Sequence, residues 1–280
     1  MSLSEQAYRD APLLLNLERD RGAWVASSTW CNLGLWPQAS FREACVALAR
    51  LLGRAVALAP TDFVLDCGVG YGDQLELWCS EFGLRRLVAL ELSSKLVERA
   101  RGRLTSLADG CSVTVIAGSA APMPAEALAA AAGCDAVLCL DCAYHFDTRA
   151  SFLHSAAAVL RRGGRYGAVD MVPRHVAAWG WKPIAQRVVA AACGIPRANL
   201  HSAEAYIDAL HAAGFEDVRL EPISERVFAP FALNAVEQRQ RLHGVLSRGE
   251  WIFLWATAAV MRFIDRHRLF DAVLVTARRS

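Results

Sequence analysis

From residue 62 onward the chain repeats one rhythm, a short apolar run followed by a stretch of helical spacing. The runs "DFVLDC" (62–67), "RLVALE" (86–91), "SVTVIAG" (112–118), "DAVLCLD" (135–141) and "GRYGAVDM" (164–171) are short and rich in Val and Leu. They are apolar on both faces, as strands inside a parallel sheet are. Helical stretches at 74–82, 94–107, 124–132 and 149–161 separate them. This alternation predicts an α/β fold, a mostly parallel sheet with helices on both faces. After the fifth strand a long insertion, 172–200, precedes "SAEAYIDALHAAGF" (202–215), which reads as a helix capped by Ser202 and ended by Gly214. The strands "EDVRLEPI" and "DAVLVTAR" (271–278) bring the sheet to seven.

Two regions stand outside this rhythm. Residues 1–58, with Trp24, Trp30 and Trp36, turn helical at about 40 and read as an N-terminal cap or lid on a main domain of 59–280. That domain carries insertions at about 172–201 and 231–268. Within the second, "EWIFLWATAAVMRFI" holds about eleven apolar residues before Arg262, too few to cross a bilayer. It is expected to form an amphipathic helix over the core or a pocket, with docking on a membrane surface as the rival.

Composition narrows the classes. The chain is 54% hydrophobic and 21% charged, which suits a globular domain. A formal charge of +2 with scattered arginines gives no nucleic-acid footprint. The N-terminal apolar run is too short for a secretory signal. Nine irregularly spaced cysteines suggest reduced thiols in a cytoplasmic protein. Cys139 and Cys142 form a CxxC inside a strand-like run, with no second pair to complete a metal site, so core packing is expected and no metal.

The chemistry gathers at "FVLDCGVGYGDQ" (63–74). A glycine-rich turn between strand and helix presents backbone N–H groups to an anion or a nucleotide-like ligand. A triphosphatase loop needs Gly-Lys-Ser/Thr, which is absent. A dinucleotide loop places its third glycine where Asp73 stands. The pattern present is Asp66-x-Gly68-x-Gly70-x-Gly72, followed by Glu91 at the end of the second strand.

These residues resemble the first two motifs of the class I S-adenosylmethionine-dependent methyltransferases. "AGSAAPMP" (117–124), "LCLDCAYHF" (138–146) and "AAAVLRRGGRYGAVDM" resemble the later motifs, with Ser119 where an Asp is usual and Arg162 where a Pro is usual. "STWCNLGLW" and "SAEAYIDALHAAGFEDVRLEPIS" are similar to the tocopherol, sterol and alkaloid methyltransferases, in which an N-terminal segment closes over the cofactor. The resemblance implies a Rossmann-like fold and S-adenosyl-L-methionine as cofactor. It implies that Glu91 accepts from the ribose hydroxyls, a task for an acceptor-only group. Cofactor contacts are expected from Asp66, Gly68, Gly70, Gly72, Gln74, Ser119, Ala120, Asp141 and Trp30. Asp66 would hold the loop backbone or meet the cofactor ammonium. Gln74 would meet the cofactor carboxylate or cap its helix.

Methyl transfer is an in-line displacement, so the protein chiefly aligns the reactants and excludes water. A hydroxyl acceptor also needs a base. His145, after the fourth strand, is the candidate base, with capping as its plain alternative. Tyr144 would orient the acceptor or the sulfonium, and Asp147 would cap the next helix. Trp30, Asn32 and Trp36 form a lid strand or an apolar plug. Trp36, His175, Trp179, Trp181 and Phe228 suggest a hydrophobic small-molecule acceptor. The acceptor atom stays open among O, N and C, and a homodimer stays open too. The rivals are a dehydrogenase, which Asp73 disfavours, an enzyme coupling methylation to cyclisation, and a membrane-docked scaffold.

Overall fold

A computed structural model of the chain describes residues 11–104, 110–174 and 180–280. His175 and Trp179 lie outside the described residues. The chain enters through a short helix, α1 (Ala11–Leu15), and an antiparallel hairpin, β1 (Leu17–Asp20) with β2 (Ala23–Ala26), which the sequence pattern did not foresee. Helix α2 (Phe41–Ala55) starts at Ser40, whose hydroxyl accepts from the Glu43 amide at 3.2 Å. Its Phe41, Ala44, Cys45, Leu48, Ala49 and Leu52 are buried, the single apolar stripe that seats it on the core.

The alternation then runs through β3 (Phe63–Cys67), α3 (Asp73–Glu81), β4 (Arg86–Glu91), α4 (Ser94–Leu104), β5 (Ser112–Ala117), α5 (Ala125–Ala130), β6 (Cys134–Leu140), α6 (Arg149–Val159) and β7 (Leu160–Pro173). The insertion after β7 holds α7 (Trp181–Ala192), and α8 (Ala203–Ala212) leads into β8 (Phe215–Pro222). Two helices, α9 (Phe228–Arg241) and α10 (Arg248–His267), precede β9 (Phe270–Arg279). The seven strands order as β5-β4-β3-β6-β7-β9-β8, with β9 antiparallel to both neighbours. All five residues of β3 are buried, which fits its place mid-sheet, paired parallel to β4 and β6. Chain order reverses direction at β3, and ligands in such sheets bind outside the carboxyl ends of the strands there. Asp66, Glu91 and Asp141 sit at or just beyond the carboxyl ends of β3, β4 and β6.

Two expectations are corrected. Cys79 and Cys111 are joined in a disulfide across 32 residues, tying α3 to the start of β5, so the thiols are not all reduced. Seven other cysteines are free. Helix α6 is capped by Thr148, whose hydroxyl accepts from the Ser151 amide at 3.2 Å, rather than by Asp147. The CxxC thiols lie in the core, 3.1 Å apart. Among the described residues no helix is long and apolar enough to cross a membrane, and no group of His, Cys, Asp and Glu could hold a metal.

Candidate active site

The three glycines of the β3–α3 loop all have left-handed φ, +76°, +56° and +86° for Gly68, Gly70 and Gly72, a region side chains disfavour. Their surroundings differ. A Cβ on Gly68 would stand 2.4 Å from the Cys142 sulfur, and one on Gly72 would stand 3.1 Å from the Ala100 Cβ. Those two positions are small because protein packs against them, not to clear ligand space. Gly70 alone faces an open side, its nearest neighbour being the Cys31 sulfur at 3.9 Å. Its N–H donates to Glu91 Oε2 at 2.9 Å, so the loop is pinned to the end of β4.

Three buried carboxylates ring this opening. Asp66 accepts from Gln74 Nε2 at 2.9 Å and Trp78 Nε1 at 2.7 Å, both through Oδ2. Its partners are therefore on α3, not the loop backbone, and Gln74 is committed to Asp66. Asp66 Oδ1 is buried with no protein partner among the described residues. Burial pushes the Asp66 carboxyl up to about 7, against the pull of its two hydrogen bonds. Glu91 also accepts from the Ser93 amide at 3.0 Å, and burial raises its pKa as well. A carboxylate offers about four acceptor sites, so Glu91 keeps acceptor capacity beyond its backbone donors Ser93, Gly70 and Leu92. Asp141, at φ +58°, accepts from the Leu33 amide at 2.7 Å and the Tyr144 hydroxyl at 3.1 Å. Burial lifts it to about 7.

Residues 27–36 form a strap across this end of the sheet. Thr29 donates to Asp73 through its amide at 3.0 Å and through its hydroxyl, and Arg103 Nη2 donates to the Thr29 hydroxyl at 2.8 Å. Leu33 is held by Asp141, and between the two fastenings Cys31 is carried to the side of Gly70. Burial first, then the charges of Asp73, Glu91 and Asp141, raise the Cys31 thiol far above its ordinary range. Buried Trp30 receives Asn16 Nδ2 at its carbonyl, 2.9 Å, and Asn32 Nδ2 donates to the Cys45 carbonyl at 3.4 Å. Trp36 exchanges backbone bonds with Arg226: its amide donates to the Arg226 carbonyl at 2.8 Å, and Arg226 Nε returns to its carbonyl at 3.1 Å. Of this strap the sequence singled out the tryptophans and Asn32 but missed Thr29, Cys31 and Leu33. Asp73 was legible only as a missing glycine, although its carboxylate is a fastening point.

The loop after β6 carries the candidate base. Tyr144 and His145 lie in a single 3-10 turn, Ala143–His145, with ring centroids 4.2 Å apart. His145 Nδ1 lies 3.3 Å from the Gly194 carbonyl, and burial lowers its pKa. Asn199, which no motif in the sequence marks, braces this turn. Its Nδ2 donates to the carbonyls of Tyr144 at 3.0 Å and Phe146 at 2.6 Å, and its Oδ1 accepts from the Arg149 amide at 2.8 Å. The Arg149 guanidinium, 1% exposed, donates to Asp170 at 2.8 Å and to the Met171 and Asn199 carbonyls, both at 3.0 Å.

The remaining candidates scatter. Ser119 is turned onto its own loop, donating to the Ala121 carbonyl and accepting from the Ala121 amide, both at 3.0 Å, beside buried Ala120. Trp36 and Phe228 are buried in the core that joins the strap to α9. Trp181 stands 50% exposed on α7, its ring against Phe263 and His267 of α10. Phe41 helps line a cleft of about 300 Å³ with Leu15, Leu17, Trp24 and Asn234.

A doubly wound sheet with carboxylates at its switch point defines a site for a nucleotide-type ligand. A methyltransferase-domain family matches residues 64–164. Erythromycin 3''-O-methyltransferase of Saccharopolyspora erythraea is 30% identical over 229 residues, 79% of this chain and 73% of that protein. Among solved structures, a sarcosine dimethylglycine methyltransferase candidate from Galdieria sulphuraria has TM-score 0.75 at 17% identity, over 89% of this chain and 93% of that one. The cyclase SpnF has TM-score 0.71 at 20% identity, over 99% and 94%. The chain belongs to the class I S-adenosylmethionine-dependent methyltransferases that act on small molecules, with S-adenosylmethionine as cofactor.

The residues present fit that cofactor. Asp66 Oδ1 is a buried acceptor in want of a donor, and Gly70 leaves open the space that a Cβ would fill. Glu91 keeps acceptor capacity beside it. When bound, S-adenosylmethionine supplies an electrophilic methyl group on a sulfonium.

Proposed function

We propose that this protein methylates a hydroxyl group on a hydrophobic small molecule, in the cytoplasm, with His145 as the base. The observation that carries this reading is the placement of His145. A proton on Nδ1, donated to the Gly194 carbonyl, puts the basic lone pair on Nε2, and the lowered pKa keeps the ring neutral at physiological pH. A neutral imidazole is ready to take the proton a hydroxyl loses as it attacks. Likeness to an O-methyltransferase at 30% identity supports a hydroxyl acceptor.

In this reading Asp66 meets the cofactor ammonium, Glu91 the ribose hydroxyls, and Gly70, Asp141 and Trp30 wall the cofactor. Gly68 and Gly72 shape the loop, Gln74 fixes Asp66, and Ser119 and Ala120 border the far end. Tyr144 orients the acceptor against Asp141. Trp36 and Phe228 supply apolar surface, and residues 1–58 act as the lid. Seven free thiols favour a reducing compartment, and the Cys79–Cys111 link is the one feature on the other side.

Incubation with methyl-labelled S-adenosylmethionine and matched panels of lipophilic alcohols, phenols and amines tests the proposal. Label is expected in ether products. His145→Ala should slow turnover by about a hundredfold or more while leaving S-adenosylhomocysteine affinity unchanged. Label in amines alone, or full turnover in the variant, would overturn it.

A further inference from the structure

The outer faces of α7 and α10 have a composition unlike the rest of this nearly neutral chain. Every exposed residue on these two helices is apolar, glycine or arginine, and none is acidic. Trp251, Ile252, Trp255 and Phe263 of α10 are 37–54% exposed, and Trp181, Ile184 and Val188 of α7 are 50–63% exposed. Positions 181, 184 and 188 fall on one side of α7, while 252, 255, 259 and 263 do the same on α10. The two faces join, because the Trp181 ring meets those of Phe263 at 6.2 Å and His267 at 5.0 Å. Arg187, Arg262 and Arg266 stand exposed among them, with no acidic partner among the described residues. The buried side of α10 is separate, held in the core by Leu254, Ala258, Met261 and Ile264. Of the outward tryptophans, Trp251 carries the Arg239 guanidinium of α9 over its ring at 4.4 Å, while Trp255 stands 54% exposed outside that core.

We propose that this two-helix face docks on an anionic lipid bilayer. Indole rings favour the boundary between headgroups and acyl chains, and arginines among them pair with lipid phosphates. Charge selects this occupant over a second copy of the chain: a self-complementary pairing would set the exposed Arg187, Arg262 and Arg266 against one another, while the two carboxylates on these helices, Glu250 and Asp265, are half-buried and Glu250 is held by Ser247. The docking is interfacial, since about eleven apolar residues of α10 cannot span the bilayer. Such a surface gives an enzyme with a lipophilic acceptor access to the phase where that acceptor dissolves.

The test is flotation of the full chain with phosphatidylcholine vesicles, with and without phosphatidylglycerol, following tryptophan emission. Expected is flotation that requires phosphatidylglycerol, weakens in high salt and shifts the emission to the blue. Arg262→Gln/Arg266→Gln should weaken binding roughly thirty-fold. Trp255→Ser/Phe263→Ser should abolish the blue shift, and both variants should keep wild-type S-adenosylhomocysteine affinity as proof of folding. Absence of flotation, equal flotation on phosphatidylcholine alone, or variants that bind undiminished would each overturn the proposal. So would a concentration-dependent dimer that Trp255→Ser/Phe263→Ser dissolves, because the face would then belong to a second copy.

Discussion

The Leu33 amide donates to the Asp141 carboxylate at 2.7 Å, joining positions 108 residues apart. One bond thus ties the N-terminal strap to the loop that carries Tyr144 and His145. Together with Thr29 on Asp73, it spans the opening beside Gly70.

Loosening that strap should loosen the ligand. At pH 8, where Asp141 is ionised, Asp141→Ala removes a charged acceptor from two donors, a loss of about 1.5–3 kcal/mol. S-adenosylhomocysteine affinity should fall roughly tenfold or more, and amides 28–36 should exchange faster. Calorimetry and hydrogen exchange measure the two effects. An unchanged affinity with unchanged exchange would remove the strap from the binding step.

Acidity should weaken binding. Asp66 and Asp141 have carboxyls lifted by burial to about 7, so both are largely neutral at pH 6 and ionised at pH 8. A cationic ammonium favours the ionised form, so binding below pH 7 must expel protons. Affinity for S-adenosylhomocysteine should climb between pH 6 and 8, by up to about tenfold per pH unit for each proton released. The ligand-free fold should move the other way. Folded values above the unfolded range mean stability that is present in mild acid and lost as pH rises through 7. Calorimetry in buffers of different ionisation enthalpy counts the protons, and urea midpoints at pH 5 and 8 check the stability. A flat affinity profile would contradict the assignment.

The brace at Asn199 should be costly to remove. Asn199→Ala strands the buried Tyr144 carbonyl, the half-buried Phe146 carbonyl and the Arg149 amide, for a loss of about 2–4 kcal/mol. Asn199→Asp should not rescue it, since a carboxylate cannot donate to the Tyr144 and Phe146 carbonyls. Urea unfolding decides this, and a cost below about 0.5 kcal/mol would show that the turn holds itself.

The disulfide is open to direct counting. Under denaturing, non-reducing alkylation seven thiols should react and a Cys79–Cys111 peptide pair should be recovered. Cys79→Ser/Cys111→Ser should lose about 3–4 kcal/mol by the loop-entropy relation for this separation. Nine reactive thiols would show the link to be absent.

What the sequence disclosed follows the range of the interactions. Strands β3, β4, β6 and the second half of β7 were legible because burial on both faces leaves an unbroken apolar run, whereas β5, partly exposed at the sheet edge, was legible from its Val, Thr and Ile residues and its place in the alternation. The β1–β2 hairpin was hidden because its residues are mostly exposed and "LERDRGAWVA" carries no alternation. Glu91 and Gly70 were readable because both belong to local motifs of fixed spacing. Thr29 on Asp73 and Asn199 on Arg149 bridge 44 and 50 residues with common residue types, and nothing in the neighbourhood of either announces its partner. The three glycines share one letter for different physical reasons, since packing against Cys142 and Ala100 selects it just as open space beside Gly70 does.

The sheet order also carries a consequence for how the protein is made. Strand β8 reaches the sheet only through β9, which inserts between it and β7. On the ribosome β8 therefore waits without a neighbour while residues 223–269 are synthesised, about two to ten seconds at ordinary elongation rates. Glu216, Asp217, Arg219 and Glu221 keep that waiting strand charged, which discourages it from pairing with another nascent chain. Vectorial synthesis can thus seat β3 to β7 early, while the far edge of the sheet closes in one late step.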